Sequence, residues 1–212
     1  MKKTGTLEWM PHSFNCVLGC ANNCRYCYAR RIKKDRFKQT QDWSKEILLD
    51  RMKEASKLYK GGVMFPTAHD ITAQNYEHCA KHLKELIGSG NKVLIVSKMC
   101  EYVARRFCID FSPSENIEFR LTMNCVDDYW QQGSPYYMRT IGALVDLQES
   151  GFKTSISFEP MLCHPDYIVR KLLRNDFVKR RLDSIWFGCL TGYKLNPAIP
   201  EEKAILELYK PE

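Results

Sequence analysis

Gly61-Gly62-Val63-Met64-Phe65-Pro66 and Lys92-Val93-Leu94-Ile95-Val96-Ser97 flank a helical stretch, and that single strand–helix–strand unit decides the fold. Both runs are short and continuously apolar at their centres, the pattern of strands buried on two faces. Between them the spacing predicts a helix from about Gln74 to Ile87, with Cys79, Leu83, Leu86 and Ile87 on one face and Gly88-Ser89-Gly90 as its stop.

The unit recurs along the chain. Ser13 to Leu18 reads as an earlier strand. A short helix through Val103, Arg106 and Phe107 closes at Ser112-Pro113-Ser114, and a strand over Ile117 to Asn124 follows. Gly133-Ser134-Pro135 opens a helix carrying Ile141, Leu144 and Val145. A strand over Phe152 to Phe158, a helix from about Asp166 to Arg181 and a strand over Ser184 to Gly188 complete six units. Such alternation implies parallel strands joined by right-handed crossovers, with ligands gathering at the carboxyl ends. Six units are too few for an ordinary eight-stranded barrel. The expectation is α/β, a partial, open (β/α)6 barrel: one domain over 1–212, its core at about 12–190 and a short polar tail over 191–212.

The first strand runs into Gly19-Cys20-Ala21-Asn22-Asn23-Cys24-Arg25-Tyr26-Cys27-Tyr28, which puts Cys20, Cys24 and Cys27 on one short loop. Thiolates on such spacing suit an iron–sulfur cluster, although common clusters take four cysteines. The competing reading adds Cys16 to make a four-thiolate zinc site, which would crowd one tetrahedron with ligands from twelve residues. Cys16 lies in the apolar run Phe14-Asn15-Cys16-Val17-Leu18, where a thiol behaves as a small hydrophobe. The other cysteines, at 79, 100, 108, 125, 163 and 189, form no disulfide-like framework. With no signal-like apolar stretch after Met1-Lys2-Lys3 and no run long enough to span a membrane, the expected compartment is the cytoplasm.

The formal net charge is +7. Arg30, Arg31, Lys33, Lys34, Arg36 and Lys38 follow the Cys loop, and Arg170, Lys171, Arg174, Lys179, Arg180 and Arg181 form a second group. Basic charge beside a reactive loop favours an anionic partner such as a nucleic acid or nucleotide; the alternative is a solvated helix face.

Gly-Cys-x3-Cys-x-Tyr-Cys-Tyr, together with an Asp after the second strand (Asp70), Ser97-Lys98 after the third, Phe119 to Asn124 as the fourth and Ser157 to Pro160 ending the fifth, resembles the spore photoproduct lyase-like branch of radical S-adenosylmethionine (SAM) proteins. The resemblance runs from about Phe14 to Leu190. It implies a [4Fe-4S] cluster on Cys20, Cys24 and Cys27, with SAM chelating the open iron and being cleaved to a 5′-deoxyadenosyl radical. It further implies that Lys98 meets the SAM carboxylate, that Thr122 and Asn124 meet the ribose, and that Tyr26 lies by the adenine. Arg139 is expected at the SAM carboxylate or a substrate phosphate, or else exposed on its helix, and Asp70, Ser97 and Glu159 at the pocket. Tyr26 and Tyr28 match the family's tyrosines, a candidate relay. Where that enzyme has a hydrogen-donating Cys, this chain has Thr67, so Cys125, Cys163 and Cys189 are the candidate replacements, with inert core thiols as the ordinary reading.

Also expected are a reductant such as flavodoxin or ferredoxin and a partner protein that completes the substrate site. Trp130, Tyr136 and Tyr137 are candidates to stack on a base. His78 and His82, one turn apart, are expected on a solvated helix face. Two other readings are a glycyl-radical activase acting on a partner protein and a zinc-stabilised nucleic-acid-binding module.

Overall fold

The structure is a computed structural model that describes residues 8–38, 40–124, 128–164, 166–167, 169–170, 181–190 and 192–209. Six strands form one sheet: β1 (His12–Ser13), β4 (Val63–Phe65), β5 (Val93–Ser97), β6 (Ile117–Thr122), β7 (Lys153–Phe158) and β8 (Ser184–Phe187), in that order and all parallel. No pairing among the described residues joins β1 to β8, so the sheet stays open, as a partial barrel. The expected first strand divides in two. His12–Ser13 joins the sheet, while β2 (Val17–Leu18) turns away to pair antiparallel with β3 (Ile47–Leu48).

Helices α3 (Tyr76–Gly88), α4 (Glu101–Asp110) and α5 (Tyr137–Glu149) cover the outer face, within two or three residues of where periodicity puts them. Leu83, Leu86, Val103, Phe107, Leu144 and Leu147 pack there against Val63, Phe65, Phe119 and Ile156. Each such side chain, fully buried, contributes about 1.5–3 kcal/mol, and together they fix the strand ends.

The other face of β6 and β7 is polar. Ile117, Phe119 and Leu121 turn into the core, and the alternate residues Glu118, Arg120 and Thr122 face the opposite way beside Ser155 and Ser157. Arg120 donates to Ser155 Oγ at 3.0 Å and lies between the rings of Trp9 and Trp186, at 4.4 and 4.7 Å. Thr122 and Ser157 share a hydrogen bond of 2.9 Å.

The expected polar tail is instead partly helical. α6 (Pro200–Leu208) buries Glu202 and Ile205, and Ile205 belongs to a second small core with Cys24, Tyr26, Trp130 and Leu162. Glu202 accepts hydrogen bonds from Tyr129 Oη, from Tyr193 Oη at 2.8 Å and from Asn196 N at 2.7 Å, which explains how a carboxylate is buried there. Tyr209 Oη donates to Met161 O at 2.6 Å. The helix expected over 166–181 falls largely outside the described residues, as does most of the second basic group. No described helix is long and apolar enough to cross a membrane.

Candidate active site

The Cys loop sits at the carboxyl ends of the strands and is held from three sides. Cys20 N donates to Trp43 O at 2.8 Å, Arg25 N to Trp130 O at 3.0 Å and Gly133 N to Asn22 O at 3.1 Å. Two glycines allow this close approach. A Cβ on Gly19, whose φ is +93°, would meet Lys45 O at 2.5 Å, and a Cβ on Gly133 would collide with Ala21 O. Arg30 donates to Asn23 Oδ1 at 2.9 Å and to Arg25 O at 2.8 Å, so this member of the first basic group serves the loop itself.

Cys27 caps α1 (Tyr28–Phe37), its Sγ accepting from Arg30 N at 3.4 Å. A helix N-terminus favours negative charge and therefore a thiolate. Cys20 and Cys24 are buried, Cys27 partly so, and all three are free thiols. Burial pushes the Cys20 thiol well up, with the Asp70 charge adding to it, and burial likewise raises Cys27.

Among the described residues the three loop sulfurs do not all come within 4.8 Å of one another. Sulfurs sharing one tetrahedral zinc stand about 3.8 Å apart, from zinc–sulfur bonds of ~2.3 Å. The three thiols are therefore not drawn together as ligands of one such ion in this arrangement. Cys16 is not part of it: its Sγ pairs with Cys79 Sγ at 3.9 Å, which removes the four-cysteine zinc reading from this arrangement.

Asp70 ties the loop to the strand ends. Its Oδ2 accepts from Asn22 Nδ2 at 2.8 Å and from Cys20 Sγ at 3.8 Å. Its Oδ1 accepts from Ser97 Oγ at 3.2 Å and Lys98 N at 2.7 Å, and Lys98 Nζ stands 3.7 Å from Oδ2. A carboxylate offers about four lone-pair directions, and here all are spent. Burial would raise this carboxyl, but the Lys98 charge and the hydrogen bonds hold it below the ordinary range. Burial would lower Lys98, and Asp70 with neighbouring groups instead holds it well above its usual value. Asp70 and Ser97 are thereby clamps for the loop, while Lys98 presents its charge 5.8 Å from the Tyr26 ring.

Tyr26 is buried and accepts from Gln131 Nε2 at 2.6 Å. Tyr28, more exposed, donates to Thr67 O. Asn124 differs from all of these. It is 3% exposed, yet neither Oδ1 nor Nδ2 has a partner. Buried amides are nearly always paired, so Asn124 stands apart from the other buried polar groups of these strand ends.

Arg139 is exposed and donates to Glu101 Oε2 at 2.8 Å, joining the first turns of α5 and α4. Trp130 is buried in the second core, which removes it as a base-stacking surface; Tyr136 is exposed, its ring 4.6 Å from that of Tyr137. Cys163 packs on the main core, Cys189 is exposed, and Cys125 lies outside the described residues.

His82 is buried rather than solvated. His78 Nε2 donates to Cys16 O and Leu49 O, each at 3.1 Å, and Arg51 N donates to His82 Nε2 at 3.2 Å. The segment around β3 thus covers that face of α3, a long-range contact invisible to helical periodicity. Asn22, Gln131 and Ser134, the last 3.2 Å from Cys24 Sγ, are site residues that sequence reasoning missed; as ordinary loop polars they carry no signal of their own.

Glu159, at the end of β7, is half-buried, and burial pushes its carboxyl up to about 7 against the pull of Arg120. A value raised on folding means that stability held in the neutral carboxyl is complete below the ordinary carboxylate range and is lost as pH rises through about 7. Glu159→Gln is therefore expected to flatten the stability profile between about pH 5 and 8, with a gain near pH 8 of about 1 kcal/mol after allowance for solvent access. Thermal melts across that range check it, and an unchanged slope would clear Glu159 of the titration.

The fold has known structural counterparts. The chain superposes on spore photoproduct lyase complexed with dinucleoside spore photoproduct with a TM-score of 0.62 at 15% identity, covering 95% of this chain and 61% of that one. Its fold is similar to that of spore photoproduct lyase. A tyrosine-to-phenylalanine mutant of that enzyme matches at 0.61 and 16%, and a double mutant with bound AdoMet and dinucleoside spore photoproduct at 0.61 and 15%, with the same coverages. The chain spans about three-fifths of the length of these structures. No protein-family model and no curated protein matches it.

Proposed function

We propose that this chain is a radical SAM enzyme acting on a nucleic acid or nucleotide. The observation that carries the reading is the loop itself: three free thiols at the carboxyl ends of a partial barrel, with Lys98 and the unpartnered Asn124 at neighbouring strand ends. In this reading Cys20, Cys24 and Cys27 hold a [4Fe-4S] cluster, which with SAM at its open iron supplies a 5′-deoxyadenosyl radical for hydrogen abstraction.

The chain's own residues bind and orient. Lys98 offers a point charge for the SAM carboxylate, Asn124 an amide for the ribose hydroxyls, and Thr122 a hydroxyl already braced by Ser157. Tyr26, fixed by Gln131, forms an aromatic wall. Tyr28 places a phenol at Thr67, where a hydrogen atom could be relayed. A net charge of +7 favours an anionic substrate, and the structural neighbours include complexes with a dinucleoside photoproduct. An external one-electron reductant of the flavodoxin or ferredoxin class completes the scheme.

The test is electron paramagnetic resonance of the anaerobically reconstituted, reduced protein before and after SAM, with 5′-deoxyadenosine measured alongside. A cluster signal that shifts with SAM is expected, and Asn124→Ala should weaken SAM binding about tenfold by removing its hydrogen bonds, worth ~1.5 kcal/mol. A protein that binds no iron, or whose signal ignores SAM, would sink the proposal.

A further inference from the structure

Behind Asp70, on the core side of the Cys loop, a second group of ligand-type residues has no role in the function proposed above. Cys16 from the segment leading to β2, Cys79 from α3 and His69 from the loop after β4 are all buried, and one ligand atom of each lies within 4.8 Å of the others. They are far apart in sequence and converge only through folding.

Three details match a metal centre better than a patch of core. The sulfurs of Cys16 and Cys79 are 3.9 Å apart, close to the ~3.8 Å edge of a tetrahedron with zinc–sulfur bonds of ~2.3 Å. His69 Nδ1 lies 3.1 Å from Asp70 O; facing a carbonyl, it must carry the proton, which leaves a lone pair on Nε2. That division of roles, one ring nitrogen anchored on a backbone carbonyl and the other bare, is the usual support of a metal-bound histidine. And Nε2 is buried with no hydrogen-bond partner, in a residue only 6% exposed. An orphaned ring nitrogen at such depth costs stability unless something accepts its lone pair.

We propose that Cys16 Sγ, Cys79 Sγ and His69 Nε2 bind a zinc-class divalent ion, at a site separate from the Cys loop. Two thiolates and one neutral imidazole cancel the charge of a divalent ion, so the centre can be buried without a net charge. His82 also stands near Cys16, but its Nδ1 is bonded to His78 O at 2.8 Å and its Nε2 to Arg51 N, so it could ligate only by giving up both. The ion would join the start of the loop segment, β4 and α3 into one unit. Because the ligands are closed off from solvent, it would enter as the chain folds.

The test uses the full chain with Cys20, Cys24 and Cys27 all changed to Ala, so that no cluster can compete, refolded with one equivalent of cobalt(II). One cobalt per chain with a thiolate-to-cobalt charge-transfer band is expected. The band should disappear with the added change Cys79→Ser and persist with Cys108→Ser, a thiol outside the group. Absence of the band in a chain folded by circular dichroism, or its survival in Cys79→Ser, overturns the proposal. If the triple variant does not fold, zinc is measured in iron-reconstituted wild type and in Cys79→Ser after dialysis against zinc. One zinc beyond the iron, lost in Cys79→Ser, supports the site, and no such zinc overturns it. Neither readout depends on SAM chemistry, so this site and the proposed radical function stand or fall separately.

Discussion

Asp70→Ala is expected to lower the unfolding free energy by about 3–5 kcal/mol, the range for leaving one partner of a buried ion pair alone. For a chain of this size that is a fall in melting temperature of about 6–20 °C. The physical reason lies in the number of groups that depend on one carboxylate. Lys98, with its side chain 13% exposed, would keep its charge without a counter-charge, and Asn22 Nδ2, Ser97 Oγ and Lys98 N would each lose an acceptor. Asp70→Ala with Lys98→Met should recover part of the loss, because the uncompensated charge goes too. The pair also fixes an acid limit. Since the Asp70 carboxyl is held below its ordinary value, its contribution is whole above the unfolded carboxylate range and is lost as pH falls through the depressed value. A loss under 1 kcal/mol in Asp70→Ala would mean that the loop does not rely on this clamp.

Cys24→Ala should abolish the iron–sulfur absorbance of the reconstituted protein and cut 5′-deoxyadenosine formation by more than about 100-fold, beyond the 10–100-fold that attends loss of residues merely supporting a metal ligand. Cys24 is buried between the loop and the second core, where no other described thiol of that core except Cys27 stands ready to replace it. Cys16→Ala serves as the contrast. Its sulfur is directed to Cys79, so the iron content and the SAM-dependent signal should survive. Equal loss in both variants, in a Cys16→Ala chain that circular dichroism shows to be folded, would return Cys16 to the loop and revive a four-cysteine site.

The sheet was legible in the sequence because β4 and β5 are short apolar runs, β6 alternates apolar with polar residues, and the strand–helix alternation leaves few topologies. The same topology carries Asp70, Lys98, Asn124 and Glu159 to one end of the sheet, so their neighbourhood followed from order alone. What stayed hidden depends on contacts across long stretches of chain. Cys16 meets Cys79 because α3 packs behind β4, and His82 is covered by Arg51 in a segment that local periodicity reads as loop. α6 was missed because its first turn, Glu201-Glu202-Lys203, is a run of charges that reads as a solvated tail. Its buried Glu202 is tolerable only with two tyrosines and a backbone N–H from other segments.

The place of Ile205 beside Cys24 also sets an order of assembly during synthesis. Cys24 leaves the ribosome well ahead of the helix that carries Ile205. At about 5–20 residues per second, that interval is on the order of ten seconds or more. For that time the Cys24 thiol lacks the wall that Ile205 supplies and stands more open to metal ions and to oxidants, until α6 emerges.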